Sequence, residues 1–513
     1  MRQIKSGILL SYLSLLVSNI ANIVLTPIML NKLGANQYGV INLAMAIINY
    51  FLIFDIGMGN TSIKFFTKLR VKNKKDELNR MTTIFYLING VIAIFILIIG
   101  MIIIKNIDLI GSGSIDANNI KDLKLILGCL FIGNAIMLPL STFEYLLFAY
   151  EKYIIFKLLN MIRIGIIPLI LVIALFFTDS AITIIIINMV LSILVRIFTF
   201  IYCIKKRIYS FSIGSIRNEL KYMLIKEILI HAGFVLIGMI ADKIIRNSDQ
   251  IIIGSKFGSE DLVMYTLAIN LSRMYINING IPGEFNTSYL TKLIADNNKE
   301  KLSSAFVKIS KLQFILSTYI YFGFVAIGKD FIQVWVGDGY TKSYYIALII
   351  ITGTYICISD NVGSKIVKLK GKHRLYSYVK LILAIINIPV TIVLIDKIGI
   401  IGGAISTLVI YIIPMNIIMN IYYLKKINLD ILKLISESKK IFLVGIMSLI
   451  LLKSNIIKFS IYGIGKILLL GVVFTIVYLI LLYLIGIDDI EKSYVKKYLS
   501  IRSRVGRDSE NYS

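Results

Sequence analysis

The chain has 513 residues, 57% of them hydrophobic, and its mean hydropathy is +0.83. Soluble domains are about half apolar and about a quarter charged, so this composition excludes a water-soluble fold. The net charge of +26 would suggest nucleic-acid binding in a soluble protein, but here the lysine and arginine residues collect in short connections between apolar segments, as in membrane proteins.

Apolar segments recur along the whole chain, each with roughly the 20 residues that cross a ~30 Å hydrocarbon core. A backbone exposed to lipid must satisfy its hydrogen bonds internally, and these segments are too long and continuous for barrel strands, so helices are favoured. The first segment follows basic residues but lacks a cleavage site of small residues, which indicates a span and not a signal peptide. The sequence predicts an all-α polytopic membrane protein with about fourteen transmembrane helices, at residues 7–30, 38–57, 79–104, 122–149, 154–176, 181–204, 225–246, 259–280, 303–328, 343–360, 376–396, 399–424, 440–457 and 463–485.

The connections alternate between basic and less basic ones. Most of the 55 lysine and arginine residues lie in the set of connections that includes both termini. Basic connections stay on the cytoplasmic side, so a multi-pass protein of the inner (plasma) membrane with both termini in the cytoplasm is predicted. A missed span would exchange the basic and the less basic connections partway along the chain. The observed charge bias therefore favours fourteen spans over thirteen, while twelve spans remain open.

A unit of six spans occurs twice. Four short matches appear in one order at a separation of about 220 residues, and in a chain this rich in Ile and Lys it is their order that carries weight. The matches are Lys32-Leu33-Gly34 with Lys256-Phe257-Gly258, Tyr153 with Tyr376, Pro168 with Pro389, and residues 201–206 with 421–426.

An even number of spans returns the chain to the same side of the membrane, so the two units are predicted to be parallel repeats. We expect two six-helix lobes around a central cavity, residues 1–215 and 216–430. Residues 431–485 would add two C-terminal helices, and residues 486–513 a basic cytoplasmic tail. Lobes of this kind can rock against each other, which gives alternating access.

Several short motifs have a recognisable pattern: Thr26-Pro27, Lys32-Leu33-Gly34, Tyr38-Gly39, Asp55-Ile56-Gly57-Met58-Gly59, and Asp249 to Gly254 with Lys256-Phe257-Gly258. This pattern resembles the polysaccharide-unit (Wzx-type) flippases, which are polysaccharide biosynthesis proteins of the multidrug, oligosaccharidyl-lipid and polysaccharide exporter superfamily. With the span count, the resemblance covers nearly the whole chain.

The resemblance implies a flippase that moves undecaprenyl-pyrophosphate-linked oligosaccharide repeat units from the cytoplasmic to the outer leaflet, for capsule, O-antigen or exopolysaccharide assembly. It also implies membrane lipids as partners and leaves room for a polysaccharide polymerase or assembly protein and for H+ or Na+ coupling. Two relatives of the superfamily stay open as alternatives: a MATE-like exporter of small cations and a lipid II flippase. A cation exporter would favour acidic and aromatic residues in its cavity, whereas the deep charges here are mainly arginine.

Enzymatic functions fit the sequence poorly. It has no G-x-x-x-x-G-K-[ST] phosphate loop and no H-E-x-x-H, and a membrane-embedded polymerase or glycosyltransferase would need a large external loop with catalytic residues. Cys129, Cys203 and Cys357 are isolated within apolar segments, which argues against disulfides, zinc and redox chemistry. We therefore expect a transporter without a metal or cofactor, driven by an ion gradient, by the cargo gradient or by a partner.

Three arginines inside predicted spans are candidate substrate-binding residues, Arg163, Arg196 and Arg273. Asn160 precedes Arg163, and Asn270 precedes Arg273, by about one helical turn, which places an amide and a guanidinium on one helix face. A guanidinium binds phosphate oxygens in a bidentate manner, so these side chains suit a pyrophosphate lipid.

The alternative is that each arginine extends to the membrane interface or pairs with a structural acid such as Glu144. Further candidates for ion coupling or charge pairing are Asp55 and a group in and after span 7. That group comprises Glu227, His231, Asp242, Lys243, Arg246 and Asp249. Their spacing predicts the pairs Glu227–His231, Asp242–Arg246 and Arg246–Asp249 along one helix face. Such charges are more often structural pairs, and a lone histidine is more often a core residue than a proton carrier.

Overall fold

The computed structural model describes residues 2–108, 117–210, 220–372, 374–454, 463–488 and 491–493. Side chains are described in these ranges except those of residues 2–12, 15, 117–118, 220–235, 237–238 and 358. The described chain is almost entirely helical. Its α-helices are α1 Arg2–Ile48, α2 Leu52–Val71, α3 Lys75–Lys105, α4 Ala117–Ala149, α5 Tyr153–Met161, α6 Ile167–Ala174, α7 Ala181–Lys205, α8 Leu220–Phe257, α9 Ser259–Phe285, α10 Thr287–Ala295, α11 Lys299–Val336, α12 Lys342–Ile356, α13 Ile358–Leu369, α14 Arg374–Ile398, α15 Ile401–Ser406, α16 Ile413–Tyr422, α17 Ile431–Lys453 and α18 Ile464–Leu481.

Four π-helical segments interrupt or extend these helices. Ile162–Ile166 joins α5 to α6, and Thr407–Ile412 joins α15 to α16. Tyr423–Ile427 follows α16, and Leu482–Gly486 follows α18. A π-turn accommodates one extra residue in a helix and is frequent at functional sites.

Within the described ranges, nine helical segments are long and apolar enough to cross a membrane, or up to ten with one bent pair. They coincide with nine predicted spans, which confirms the all-α polytopic fold class. Of the other predicted spans, 38–57 is divided between α1 and α2 and the rest lie on helices with more polar and charged side chains, so the number fourteen stays a prediction. Those spans are 38–57 on α1 and α2, 225–246 on α8, 259–280 on α9, 343–360 on the bent pair α12–α13, and 440–457 on α17.

The turn after the first span is much shorter than predicted. Helix α1 continues to Ile48 and is interrupted only at Gly34, whose φ is 75° and ψ 164°. Gly258, its counterpart in the second repeat, has a φ of 85° and separates α8 from α9. A positive φ costs glycine little, so the repeated Lys-x-Gly motif marks a backbone position where one helix ends and the next begins. The predicted second span, 38–57, is divided at residues 49–51, because α1 ends at Ile48 and α2 begins at Leu52.

The described chain forms two compact units. Unit 1 contains Met1–Leu267 and Ser377–Tyr411, and unit 2 contains Ala268–Tyr376 and Ile412–Ser513. These boundaries differ from the predicted lobes, because α8 and most of α14 belong to unit 1. The division into two six-helix lobes stays a prediction.

An aromatic cluster forms part of the core of unit 1. The rings of Phe66 and Phe85 are 5.3 Å apart, and Phe143 lies 5.3 Å from Tyr209 and 4.6 Å from Phe200. Edge-on and tilted ring contacts of this kind stabilise a core beyond their buried area. They hold α2, α3, α4 and α7 together, and Phe143 directly precedes two residues of the candidate site on α4.

In unit 2, a buried lysine attaches the C-terminal helices to α11. The ammonium of Lys311, whose side chain is 6% exposed, lies 2.9 Å from Glu491, 3.0 Å from Asp488 and 3.5 Å from Glu437. Glu437 belongs to α17, and the other two acids follow α18. A buried ammonium needs such partners, so this lysine links both added helices to the rest of the unit.

Candidate functional site

Four charged side chains meet inside unit 1. Arg196 on α7 donates from Nη2 to Asp55 Oδ2 of α2 at 2.7 Å, and its Nη1 donates to the carbonyl of Met137 on α4. Its Nε lies 3.4 Å from Glu144 Oε1. On the other side of Glu144, Arg163 Nη2 lies 2.7 Å from Oε2. Glu144 therefore bridges the two arginines, and we call these four residues the charged cluster.

The charged cluster is formally neutral and largely shielded. Its side chains are 7% exposed at Glu144, 10% at Arg196, 15% at Asp55 and 21% at Arg163. Charges inside a membrane span are costly, and those found there usually pair and mark a functional pathway. Arg163 is the most accessible of the four, and Glu144 is its one acidic partner among the described residues.

The Asp55-Ile56-Gly57-Met58-Gly59 motif has a steric explanation. Tyr145 donates a hydrogen bond to Asp55 Oδ1 at 3.1 Å, and its ring packs directly on the backbone at Gly59. A Cβ at Gly59 would lie 2.1 Å from Tyr145 Cζ, and one at Gly57 would lie 2.8 Å from Leu236 Cδ2. The glycines thus allow the close packing that positions the carboxylate of Asp55.

A π-turn carries Arg163. The turn spans Ile162–Ile166, directly before the helix that has Pro168 in its first turn. Proline lacks the N–H that would continue the α-helical hydrogen bonds, so the widened turn is a local response to this residue. Gly165 lets α1 approach here, since its Cβ would lie 2.6 Å from Val17 Cγ1.

The structure brings together only some of the predicted binding residues. Arg163 and Arg196 meet through Glu144, as in the alternative interpretation of paired arginines. Asn160 is partly exposed one turn before Arg163, and no hydrogen bond of the described residues joins the two. Asn270 and Arg273, both partly exposed, belong to unit 2 and not to the charged cluster.

The predicted charge pairs on α8 are corrected by the structure. Asp242 pairs with Lys380 of α14 instead of Arg246, which is exposed. Asp249 is buried and contacts hydroxyl groups, and no cationic side chain pairs with it within the described part of the chain. Helical spacing can predict pairs only between residues of the same helix. The partners of Asp242 and Asp249 lie on other helical segments of the chain. The side chains of Glu227 and His231 lie outside the described residues.

Asp249 forms a second polar centre in unit 1. It is 3% exposed and accepts hydrogen bonds from Tyr265 Oη at 2.8 Å and Thr407 Oγ1 at 2.9 Å. Thr391 Oγ1 lies 3.4 Å from Asp249 Oδ1 and donates its one proton to Ser406 at 2.8 Å. A carboxylate buried among neutral donors is stable when it holds a proton or a cation.

Comparison with known proteins identifies the family. The family model described as polysaccharide biosynthesis protein matches residues 32–345, more than half of the chain. No curated protein matches the sequence.

Solved structures show the same fold. The lipid II flippase MurJ in an inward closed conformation matches over 92% of this chain and 98% of its own, with a TM-score of 0.70 and 16% identity. An inward-facing multidrug resistance MATE family transporter of the MOP superfamily matches over 80% and 94%, with a TM-score of 0.64 and 11% identity. A MOP superfamily transporter from Pyrococcus furiosus matches over 82% and 93%, with a TM-score of 0.55 and 13% identity. The resemblance found in the sequence motifs is confirmed: the chain belongs to the polysaccharide biosynthesis protein family and has the fold of MOP-superfamily transporters.

Proposed function

We propose that the protein is a flippase for undecaprenyl-pyrophosphate-linked oligosaccharide repeat units, which it moves by alternating access from the cytoplasmic to the outer leaflet for capsule, O-antigen or exopolysaccharide assembly. The observation that carries the proposal is the charged cluster, in which two guanidinium groups lie within membrane-embedded helices. Membership of the polysaccharide biosynthesis family supports the cargo class.

In this proposal the carboxylate of Glu144 occupies the place that a phosphate oxygen takes in the loaded transporter. Arg163 turns from Glu144 to the diphosphate, because its side chain is the more accessible of the two arginines. Arg196 keeps Asp55 and the Met137 carbonyl and stays in position. Guanidinium groups suit this exchange, since they bind carboxylate and phosphate with the same planar geometry.

Asp249 is the proposed coupling residue. Its carboxylate accepts only from hydroxyl groups within the described residues, so a proton or Na+ supplies the missing positive charge. Asp249→Asn keeps the shape and one acceptor oxygen, replaces the other oxygen with an NH2 donor and removes the charge. The expected result is loss of the dependence of transport on the proton or sodium gradient in proteoliposomes, with the amount of folded protein unchanged. An unaltered ion dependence in this variant would reject the assignment.

The proposed location is the inner (plasma) membrane, with both termini in the cytoplasm, where the lipid-linked substrate is made. Membrane lipids surround the apolar helix surfaces, and a polysaccharide polymerase or assembly protein receives the product on the outer side. The basic connections between the spans support this orientation.

The test is deletion of the gene in its source organism, followed by quantification of lipid-linked oligosaccharides in each leaflet and of surface polysaccharide. We expect repeat units to accumulate on the cytoplasmic leaflet and surface polymer to be lost. A plasmid-borne copy of the gene is expected to reverse both changes. Increased sensitivity to cationic drugs with unchanged polymer would instead indicate a MATE-like exporter. Arrest of peptidoglycan synthesis with accumulated lipid II would indicate a lipid II flippase.

A further inference from the structure

Unit 2 contains a cluster of uncharged polar side chains at the contact of α13 with the apolar helix α16. Ser359 lies in the first turn of α13, and Asn416 and Asn420 lie one turn apart on α16. Ser359 Oγ donates to Asn420 Oδ1 at 2.7 Å and lies 3.4 Å from Asn416 Oδ1, which also accepts from Asn420 Nδ2 at 3.1 Å. We call these three residues the amide cluster.

The amide cluster occupies the same place in the second repeat as part of the charged cluster in the first. The match between residues 201–206 and 421–426 aligns Arg196 with Asn416. The match between Tyr153 and Tyr376 has a separation of 223 residues and aligns Ser359 with Ile136, the residue before Met137, whose carbonyl Arg196 binds. The polar contact between the fourth and sixth spans of the repeat is thus made by a guanidinium in the first repeat and by amide and hydroxyl groups in the second.

The amide cluster has unused hydrogen-bonding capacity. Each asparagine has two N–H donors and a carbonyl acceptor. Asn416 Oδ1 accepts from Asn420 Nδ2, and no hydrogen bond of the described residues uses Asn416 Nδ2; both asparagines are partly exposed. Polar groups left unpaired within a membrane are costly, so such donors are expected where a polar ligand or water reaches them.

The backbone around the amide cluster is irregular. Helix α12 ends at Ile356, and α13 begins after a bend of 56° between the two. The π-helical segment Thr407–Ile412 precedes α16, and Cys357 Sγ lies 3.5 Å from the Ile412 carbonyl. Irregular backbone at membrane depth is tolerated where it is buried in protein or lines a water-filled cavity. The partly exposed amides favour the second situation here.

We infer that the amide cluster binds uncharged sugar hydroxyl groups of the cargo, while the charged cluster binds its diphosphate. This inference rests on the proposed flippase function. Sugar hydroxyls both donate and accept hydrogen bonds, as amides and serine do, and they bring no charge that would require a guanidinium. Ser359, Asn416 and Asn420 therefore contribute to the choice of oligosaccharide and not to the recognition of the lipid diphosphate.

The test compares two lipids that differ only in the glycan. Full-length protein in nanodiscs is titrated with undecaprenyl pyrophosphate and with the lipid-linked repeat unit extracted from membranes of the source strain. Asn416→Leu is expected to weaken binding of the glycosylated lipid about tenfold, corresponding to loss of one or two hydrogen bonds, and to leave binding of undecaprenyl pyrophosphate unchanged. Arg163→Gln is expected to weaken binding of both lipids.

Two variants control for folding and for the loss of a membrane-embedded amide as such. Ser359→Ala removes one hydroxyl with little change in volume and is expected to show the same selectivity as Asn416→Leu, but a smaller effect. Asn134 on α4 donates to the Leu130 carbonyl of its own helix at 2.9 Å, so Asn134→Leu is expected to bind both lipids like the wild type.

The outcomes separate the two proposals. Wild-type protein that binds neither lipid would reject the flippase function itself. The wild type can prefer the glycosylated lipid while Asn416→Leu and Ser359→Ala keep the same preference. That result would overturn the sugar site alone. An equal loss of both lipids in these two variants, with normal thermal stability, would also overturn it.

Discussion

Arg163 and Arg196 share Glu144 but differ in their remaining partners. Arg196 also binds Asp55 and a backbone carbonyl, whereas Arg163 has Glu144 as its one acidic partner among the described residues. Removing one member of a buried charge pair costs about 3–5 kcal/mol, because the other charge is left unpaired. Arg196→Gln is therefore expected to reduce the amount of folded protein, while Arg163→Gln leaves Glu144 near Arg196 and is expected to reduce export at normal protein level.

Size-exclusion profiles of the solubilised protein and the amount of surface polysaccharide test this difference. Asn134→Leu, which changes a polar side chain of α4 outside the charged cluster, serves as the control for a substitution within a span. Equal protein levels in both arginine variants would show that Arg196 has no greater structural role than Arg163.

Charged residues within apolar segments could be identified from the sequence, but the side chains that they contact could not. An arginine in an apolar segment stands out in the sequence, so Arg163 and Arg196 could be named as site residues. The hydroxyls around Asp249 could not be recognised, because Thr391 and Thr407 are more than a hundred residues away in sequence and are common in membrane helices. Helical spacing predicted charge pairs within α8, whereas Asp242 pairs with Lys380 of α14.

At the level of helices, the contact between α2 and α4 depends on a residue without a side chain. Gly59→Ala places a Cβ where the Tyr145 ring lies and is expected to destabilise the protein by about 1–3 kcal/mol, as overpacking does. Gly90→Ala on α3 meets no atom within 4 Å and is the matched control, expected to be neutral or slightly stabilising. Thermal unfolding in detergent measures both, and similar stability of the two variants would contradict the packing argument.

The attachment of the C-terminal helices is expected to depend on pH. A hydrogen bond from Lys311 holds the pKa of Asp488 below its usual value. A carboxylate whose pKa is lowered by folding stabilises the folded state above its unfolded pKa of about 3.9, and this contribution is lost as the pH falls through the folded value.

Asp488→Asn is therefore expected to unfold at a lower temperature than wild type at pH 7 and pH 5, with the difference shrinking below about pH 4. The effect is small because the Asp488 side chain is half exposed. A difference in unfolding temperature that stays constant down to pH 3 would contradict the assignment of this pKa.

Helix positions followed from apolar length, but helix irregularities did not. The two Lys-x-Gly motifs appeared as a repeat in the sequence, and their positive φ angles give the reason. The π-turn at Arg163 was not foreseen, since one extra residue within a long apolar segment leaves the hydropathy pattern unchanged. The short turn at Gly34 was missed because the predicted spans 7–30 and 38–57 leave a connection at residues 31–37.

At the level of the whole molecule, the orientation in the membrane can be tested with single cysteines. In a variant without Cys129, Cys203 and Cys357, Lys72→Cys lies between α2 and α3 and Asp179→Cys between α6 and α7, both at exposed positions. The basic connections predict that a membrane-impermeant maleimide labels position 179 in intact cells and position 72 only after permeabilisation. The reverse pattern would place the termini outside.

The fold class and the family were accessible from composition, span lengths and motifs, whereas the compact units were not. A sequence repeat records duplication, but packing depends on contacts between distant segments. Residues 377–411 accordingly join the N-terminal helices, through contacts such as Lys380 with Asp242 and Thr391 with Asp249.

The balance of two carboxylates and two guanidinium groups in the charged cluster has an electrical consequence. Moving one elementary charge through a membrane potential of 100 mV involves about 2.3 kcal/mol. A carrier whose empty site is neutral can return to the cytoplasmic side without this cost or gain, whereas a carrier loaded with a diphosphate moves net negative charge outward. For the proposed flippase, the charged cluster then carries no net charge across the membrane potential when the empty protein returns, and the charge that moves belongs to the cargo diphosphate and the coupling ion.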